Sequence, residues 1–184
     1  MELKNLEGSI IGVNSIPLKE DYQDKKVSEI ITNKVNDSLR IVKLDESVLD
    51  KKFNDLAIRD KNKVMLASKL HDKVIILSDF SKGMLKKDIE YFKSIFKRII
   101  NYDKKIILID NNSELFLNCV DKLYVINNND IIYETSDIYD NNLAKFIDLP
   151  KIVDFTHQCE NLGIRIDHYQ EFDELLKAIY RIKS

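Results

Sequence analysis

Two short, continuously apolar runs, Val74-Ile75-Ile76-Leu77 and Ile106-Ile107-Leu108-Ile109, stand out in the middle of the chain. Unbroken rather than alternating apolarity predicts strands covered on both faces. Between them Leu85, Ile89, Phe92, Phe96 and Ile99 recur at helical spacing with lysines opposite. This predicts a helix over 86–102 and a strand–crossover helix–parallel strand unit. A third run, Leu123-Tyr124-Val125-Ile126, follows a short helix predicted from Ser113, with Leu115, Phe116 and Val120 inward. Asn127-Asn128-Asn129-Asp130 then reads as a turn, because Asn and Asp tolerate left-handed backbone. Ile131-Ile132-Tyr133 is predicted to return as a hairpin strand.

Upstream, Val27, Ile30, Ile31, Val35, Leu39 and Val42 predict one helix, and Val64, Ala67 and Leu70 predict a second from about Asp60. Ser9 to Val13 is a candidate strand, and residues 17–26 read as a polar loop. Beyond Asp148, Pro150 suits a first helical turn and Gly163 the residue just past its end, with a last helix marked by Phe172, Leu175, Leu176 and Ile179.

Composition narrows the class. The chain has 184 residues, 44% hydrophobic and 33% charged, enough for one domain with a small appendage. A net charge of -2 gives no field toward nucleic acid, and no nucleic-acid partner is expected. Cys119 and Cys159 are too few for a disulfide framework, Met1-Glu2-Leu3-Lys4 is no signal peptide, and no apolar run reaches the roughly 18 residues of a membrane span. The expectation is a cytoplasmic protein. Glycine occurs only at positions 8, 12, 83 and 163.

From Leu56 onward the sequence resembles the core of an ABC transporter ATPase. Leu56-Ala57-Ile58-Arg59-Asp60 and Lys63-Val64-Met65-Leu66-Ala67-Ser68 are similar to the signature segment and the helix after it. Val74-Ile75-Ile76-Leu77-Ser78-Asp79 resembles the Walker B strand, Lys105-Ile106-Ile107-Leu108-Ile109-Asp110-Asn111 the strand ending at the switch histidine, and Asp121 to Ile126 the strand that follows. Leu149-Pro150-Lys151-Ile152-Val153 to Gly163-Ile164, then Glu171 to Ala178, resembles the C-terminal extension of energy-coupling-factor ATPases. The resemblance spans residues 27–184 as colinear order and pattern rather than intact motifs. It implies a reduced P-loop NTPase-like α/β fold, a parallel sheet with flanking helices. Residues 1–148 would be a truncated cassette domain (helical part about 27–70), and 149–184 a dimerisation extension.

The same resemblance exposes deficits. The phosphate loop G-x-x-x-x-G-K-[ST] needs glycines for backbone approach and a lysine for the outer phosphates. No two glycines here stand five apart, and no Gly-Lys-Ser/Thr occurs. Met1 to Val13 is taken as a remnant of the opening strands. Ser78 replaces the magnesium aspartate, Asp79 stands at the catalytic glutamate and Asn111 at the switch histidine. The hydroxyl of Ser78 carries no charge, and Asn111 does not titrate near neutrality. Gln23 matches a Q-loop position, though a lone glutamine in a polar loop is ordinarily just solvated.

Other candidates carry plainer readings. Asp79 and Asp110 would follow the ends of adjacent parallel strands, where a carboxylate pair could hold Mg²⁺; the plain alternative is that they end strands and cap turns. His71, His157 and His168 lack metal-ligand spacing, and Cys119 reads as a buried apolar side chain. The expectation is therefore a non-catalytic cassette-like interaction module without cofactor. It would pair with itself, with an intact ABC ATPase or with a membrane coupling subunit, and so lie at the membrane through a transporter. Leu149, Ile152, Phe155, Phe172, Leu175 and Leu176 are the expected contact residues. The alternative is a small α/β domain binding Mg²⁺ with ATP or another phosphate at Asp79 and Asp110, with residual ATPase-like chemistry.

Overall fold

The computed structural model describes residues 2–16, 18 and 22–182. Five strands form one sheet: β1 (Ile10–Asn14), β2 (Val74–Ser78), β3 (Lys105–Ile109), β4 (Lys122–Asn127) and β5 (Asp130–Thr135), in the order β2-β3-β1-β4-β5. The first four are parallel, and β5 closes one edge as an antiparallel hairpin partner of β4. Asn128 and Asn129 both adopt left-handed backbone at that hairpin, as the asparagine run predicts.

Strand β1 lies at the centre of the sheet, between β3 and β4. Its residues face two cores. Ile10 joins Ile75, Leu77, Ile106, Leu108, Leu123 and Val125 against the helices, whereas Ile11 and Val13 join Ile107, Ile109 and Tyr124 on the opposite face. Each such side chain removed from water contributes about 2 kcal/mol, which explains why unbroken apolar runs were selected here. Gly12 is dictated by packing: a Cβ there would stand 2.9 Å from both Leu123 Cδ1 and Phe116 Cδ1.

On the helical face lie α1 (Val27–Ile30), α2 (Val35–Val42), α3 (Ile58–Lys69) and α4 (Lys86–Ile99). The single helix expected over 27–42 is broken in two, with Lys34 in left-handed backbone at φ +42° between the pieces. Tertiary contacts anchor the start of α1: Val27 and Ser28 N–H donate to the carbonyls of Lys51 and Leu49. Helix α4 stops at Ile99 and tightens into a 3-10 turn to Tyr102, ended by Asp103 at φ +55°. Phe92 and Phe96 on its inner face enclose Phe80, with ring centroids 4.8 and 5.6 Å away. The expected helix at Ser113 is a single 3-10 turn, Ser113–Leu115, and Asn118 at φ +62° prevents its extension.

The C-terminal helices α5 (Lys151–Asn161) and α6 (Phe172–Ile182) follow the sequence signals. Pro150 caps α5, and Gly163 at φ +76° terminates it while donating to the Glu160 carbonyl. They share a separate apolar cluster of Leu117, Tyr139, Ile152, Val153 and Leu175, flanked by Leu149 and Ile179. No helix among the described residues is long and apolar enough to cross a membrane.

Candidate functional site

In open parallel sheets, ligands sit at the carboxyl ends of the strands. Here those ends belong to β2, β3, β1 and β4, side by side. Ser78 closes β2 and is 3% exposed; its Oγ accepts the backbone N–H of Leu18 at 2.7 Å. The segment leaving β1 is thus tied down across the end of β2.

Asp79 and Asp110 do follow neighbouring strands, but their carboxylates have different work. Asp110 is buried, and its two oxygens accept the Ser81 N–H at 2.8 Å, the Ser81 hydroxyl at 2.9 Å and the Asn112 N–H at 2.9 Å. Those bonds clamp the loop after β2 to the loop after β3. Asp79 takes left-handed backbone at φ +52°, donates its N–H to the Ile109 carbonyl, and turns its carboxylate outward to Lys82 at 3.1 Å. Asn111 is exposed, while Asn112 caps the next turn by accepting from the Glu114 N–H at 3.2 Å. The loop after β2 docks on α3, since a Cβ on Gly83 would meet Ile58 Cγ1 at 2.9 Å. Among the described residues no cluster of three His, Cys, Asp or Glu side chains is arranged to hold a metal ion.

Sequence reasoning missed the role of β1. A phosphate loop leaves a parallel strand and enters a helix. Strands β2, β3 and β4 are the ones that resemble the Walker B strand, the switch strand and the strand after it, so on that resemblance β1 is the strand from which such a loop would leave. Counted from Gly12 at that motif's spacing, Pro17 stands at the second glycine, Leu18 at the lysine and Lys19 at the hydroxyl residue. Proline has no N–H to offer a phosphate, and the N–H of Leu18 is given to Ser78. The next described helix, α1, has only four residues, too short to supply a phosphate-binding N-terminus. The signal available in the sequence was an apolar run ending at Gly12. Residues 17 and 19–21 of the expected polar loop lie outside the described residues, and Gln23 sits in an exposed turn beyond them.

The remaining candidates are dispersed. His71 Nε2 lies 3.0 Å from Ser38 Oγ, His157 Nε2 is 2.9 Å from the Tyr139 carbonyl, and His168 stacks on the Tyr139 ring at 4.1 Å. Burial pushes the Cys119 thiol up to about 12. Of the six expected contact residues, Ile152 and Leu175 are buried inside this chain, Leu149 and Leu176 are partly buried, and Phe155 and Phe172 are 41% and 52% exposed.

No protein-family model matches the chain, and no curated protein matches it. Solved structures do. MJ1267, an ATP-binding cassette of an ABC transporter, superposes in its ADP conformation with a TM-score of 0.57 at 15% identity, covering 75% of this chain and 67% of that one. The fold is that of an ATP-binding cassette. A second structure of MJ1267 gives a TM-score of 0.54 at 16% identity over 70% of this chain and 61% of that one. The cbiO1 protein of Clostridium perfringens, part of the ABC transporter complex cbiONQ, gives 0.54 at 15% identity, covering 83% of this chain and 65% of its own. The chain thus spans between three fifths and two thirds of the length of these cassettes.

Proposed function

We propose that this protein is a non-catalytic member of the cassette architecture that acts as an interaction module. It pairs with itself or with an intact ABC ATPase and works beside an ABC or energy-coupling-factor transporter, at the membrane through that partner. The observation that carries the reading is the Leu18–Ser78 hydrogen bond, which turns the place of a magnesium carboxylate into an anchor for the chain's own backbone. The engagement of both Asp110 oxygens by Ser81 and Asn112 supports it further. That engagement disfavours the alternative, in which Asp79 and Asp110 bind Mg²⁺ and nucleotide. The link to a transporter rests on the likeness to cbiO1 over 83% of this chain and on the resemblance of residues 149–184 to a C-terminal extension. Within that extension Phe155 and Phe172, with Leu162, Ile164 and Tyr180, are exposed apolar side chains offered for contact, whereas Ile152 and Leu175 are buried beneath.

Calorimetry with ATP and Mg²⁺, run beside a mass determination by light scattering, tests this. The expected outcome is no saturable heat at millimolar nucleotide, and a mass above the monomer alone or after mixing with a cassette partner. ATP turnover above a blank, or a Mg²⁺-nucleotide melting shift abolished by Asp79→Ala, overturns it in favour of the alternative.

A further inference from the structure

The two edges of the sheet differ in how they are protected. At the β2 edge, Lys73 and Asp79 turn their backbone bonds toward β3, which by alternation leaves the Ile76 carbonyl on the outer side. The Lys69 ammonium donates to that carbonyl at 2.7 Å, and Ser78 at the end of the strand holds the Leu18 N–H. A lysine laid on an edge strand is one of the ways folds stop a foreign strand from adding there. Strand β5, the opposite edge, contains neither lysine nor proline. Among the described residues no backbone group outside β4 pairs with it, so its outward N–H and C=O groups are open.

The side chains along this edge are apolar and acidic. Ile131 and Ile132 are 42% and 45% exposed, and the Tyr133 ring stacks on the exposed Phe146 at 4.6 Å. The register against β4 slips between Val125 and Ile126, which makes Ile132 a bulged residue and leaves a regular stretch from Tyr133 to Thr135. Residues 123–144 include Asp130, Glu134, Asp137 and Asp140 and no Lys or Arg, in a chain whose net charge is only -2. Lys122, just outside that segment, lies 3.5 Å from Glu134 but is shared with Glu7 at 3.3 Å. This charge selects the occupant. A second copy offering its own β5 would add its Asp130 and Glu134 to an edge that is already acidic, and like charges across a ladder destabilise it. An extended segment carrying lysine or arginine among aliphatic residues meets both demands, with main-chain bonds to the open ladder and cations beside the carboxylates.

We propose that the open edge of β5 is a docking site for an extended basic segment of another protein, which adds to the five-stranded sheet as a further strand. Its aliphatic side chains rest on Ile131 and Ile132, and its cations face Asp130 and Glu134. The site is separate from the strand ends and from the C-terminal extension, and it does not rest on the reading of either.

The test uses the full chain and a fluorescein-labelled, amidated Lys-Val-Lys-Val-Lys-Val-Lys peptide. Anisotropy should show saturable binding in the micromolar range that weakens as salt is added. Methylating the peptide's central backbone nitrogens keeps every charge and removes the ladder donors, and should weaken binding about tenfold. The Glu-Val counterpart should bind at least as poorly. Asp130→Asn combined with Glu134→Gln should weaken the basic peptide about fivefold, and because both side chains are exposed the double variant keeps the fold. Hydrogen exchange at residues 130–135 should slow when the peptide is bound. Absence of saturable binding at about 1 mM peptide, equal affinity for either control peptide, unchanged affinity in the double variant, or no added protection at 130–135 overturns the proposal. A concentration-dependent dimer broken by Ile131→Lys assigns the edge to a second copy and overturns it as well.

Discussion

The Leu18 N–H donates to Ser78 Oγ at 2.7 Å, joining the segment after the central strand to the end of β2, sixty residues away in sequence. A carboxylate at position 78 would seek a cation; a buried hydroxyl instead accepts a backbone donor and is satisfied by it. Ser78→Ala should therefore cost about 1 kcal/mol of stability in urea unfolding. Ser78→Asp should not generate ATP hydrolysis, measured as phosphate release, because Pro17 and Leu18 still occupy the places of the phosphate-loop glycine and lysine.

Asp110 acts as a clamp. Removing its side chain leaves the Ser81 N–H, the Ser81 hydroxyl and the Asn112 N–H without their acceptor in a buried setting. Asp110→Ala should destabilise by about 3 kcal/mol. Asp79→Ala should cost far less, since its exposed pair with Lys82 is worth little. Parallel urea titrations of the two variants check the ordering.

Gly12→Ala should be costly despite its small size. The added methyl meets Leu123 and Phe116 side chains at 2.9 Å in the middle of the sheet, an overpacking worth about 2 kcal/mol. A shifted urea midpoint with an unchanged slope is the expected signature.

Cys119 should be inert in the folded protein. Desolvation raises its thiol to about 12, so almost no thiolate exists at pH 8, and the side chain is buried. A thiol reagent at pH 8 should modify Cys119 only after unfolding, as peptide mapping would show.

The hydroxyl of Tyr133 and then the Asn142 N–H hold the Asp140 carboxyl below the ordinary carboxylate range. A lowered folded-state pKa stabilises above the unfolded value, and that stability is lost as pH falls through the folded one. Asp140→Asn should lower the melting temperature at pH 7 and narrow the gap to wild type below about pH 4.

Much of the architecture was legible because burial on both faces leaves a plain mark. The runs at 74–77, 106–109 and 123–126 became parallel strands, and Pro150 and Gly163 bounded α5. What misled was local pattern without its context. Val27 to Val42 keeps helical spacing across a break at Lys34, whose backbone is left-handed. The C-terminal leucines and isoleucines looked alike as contact residues, yet Ile152 and Leu175 fill an internal cluster while Phe155 and Phe172 stay exposed.

By itself, then, the sequence determined the α/β class, the parallel strands, the C-terminal helical pair and the lack of a glycine–lysine phosphate motif, because periodicity and residue chemistry are local properties. Only the tertiary structure decided that Ile10–Asn14 is the central strand, that Ser78 receives Leu18, and that Asp110 is consumed as a clamp. Those facts are pairings between residues far apart in sequence, where a hydrogen bond depends on which strands lie side by side and not on the pattern within either.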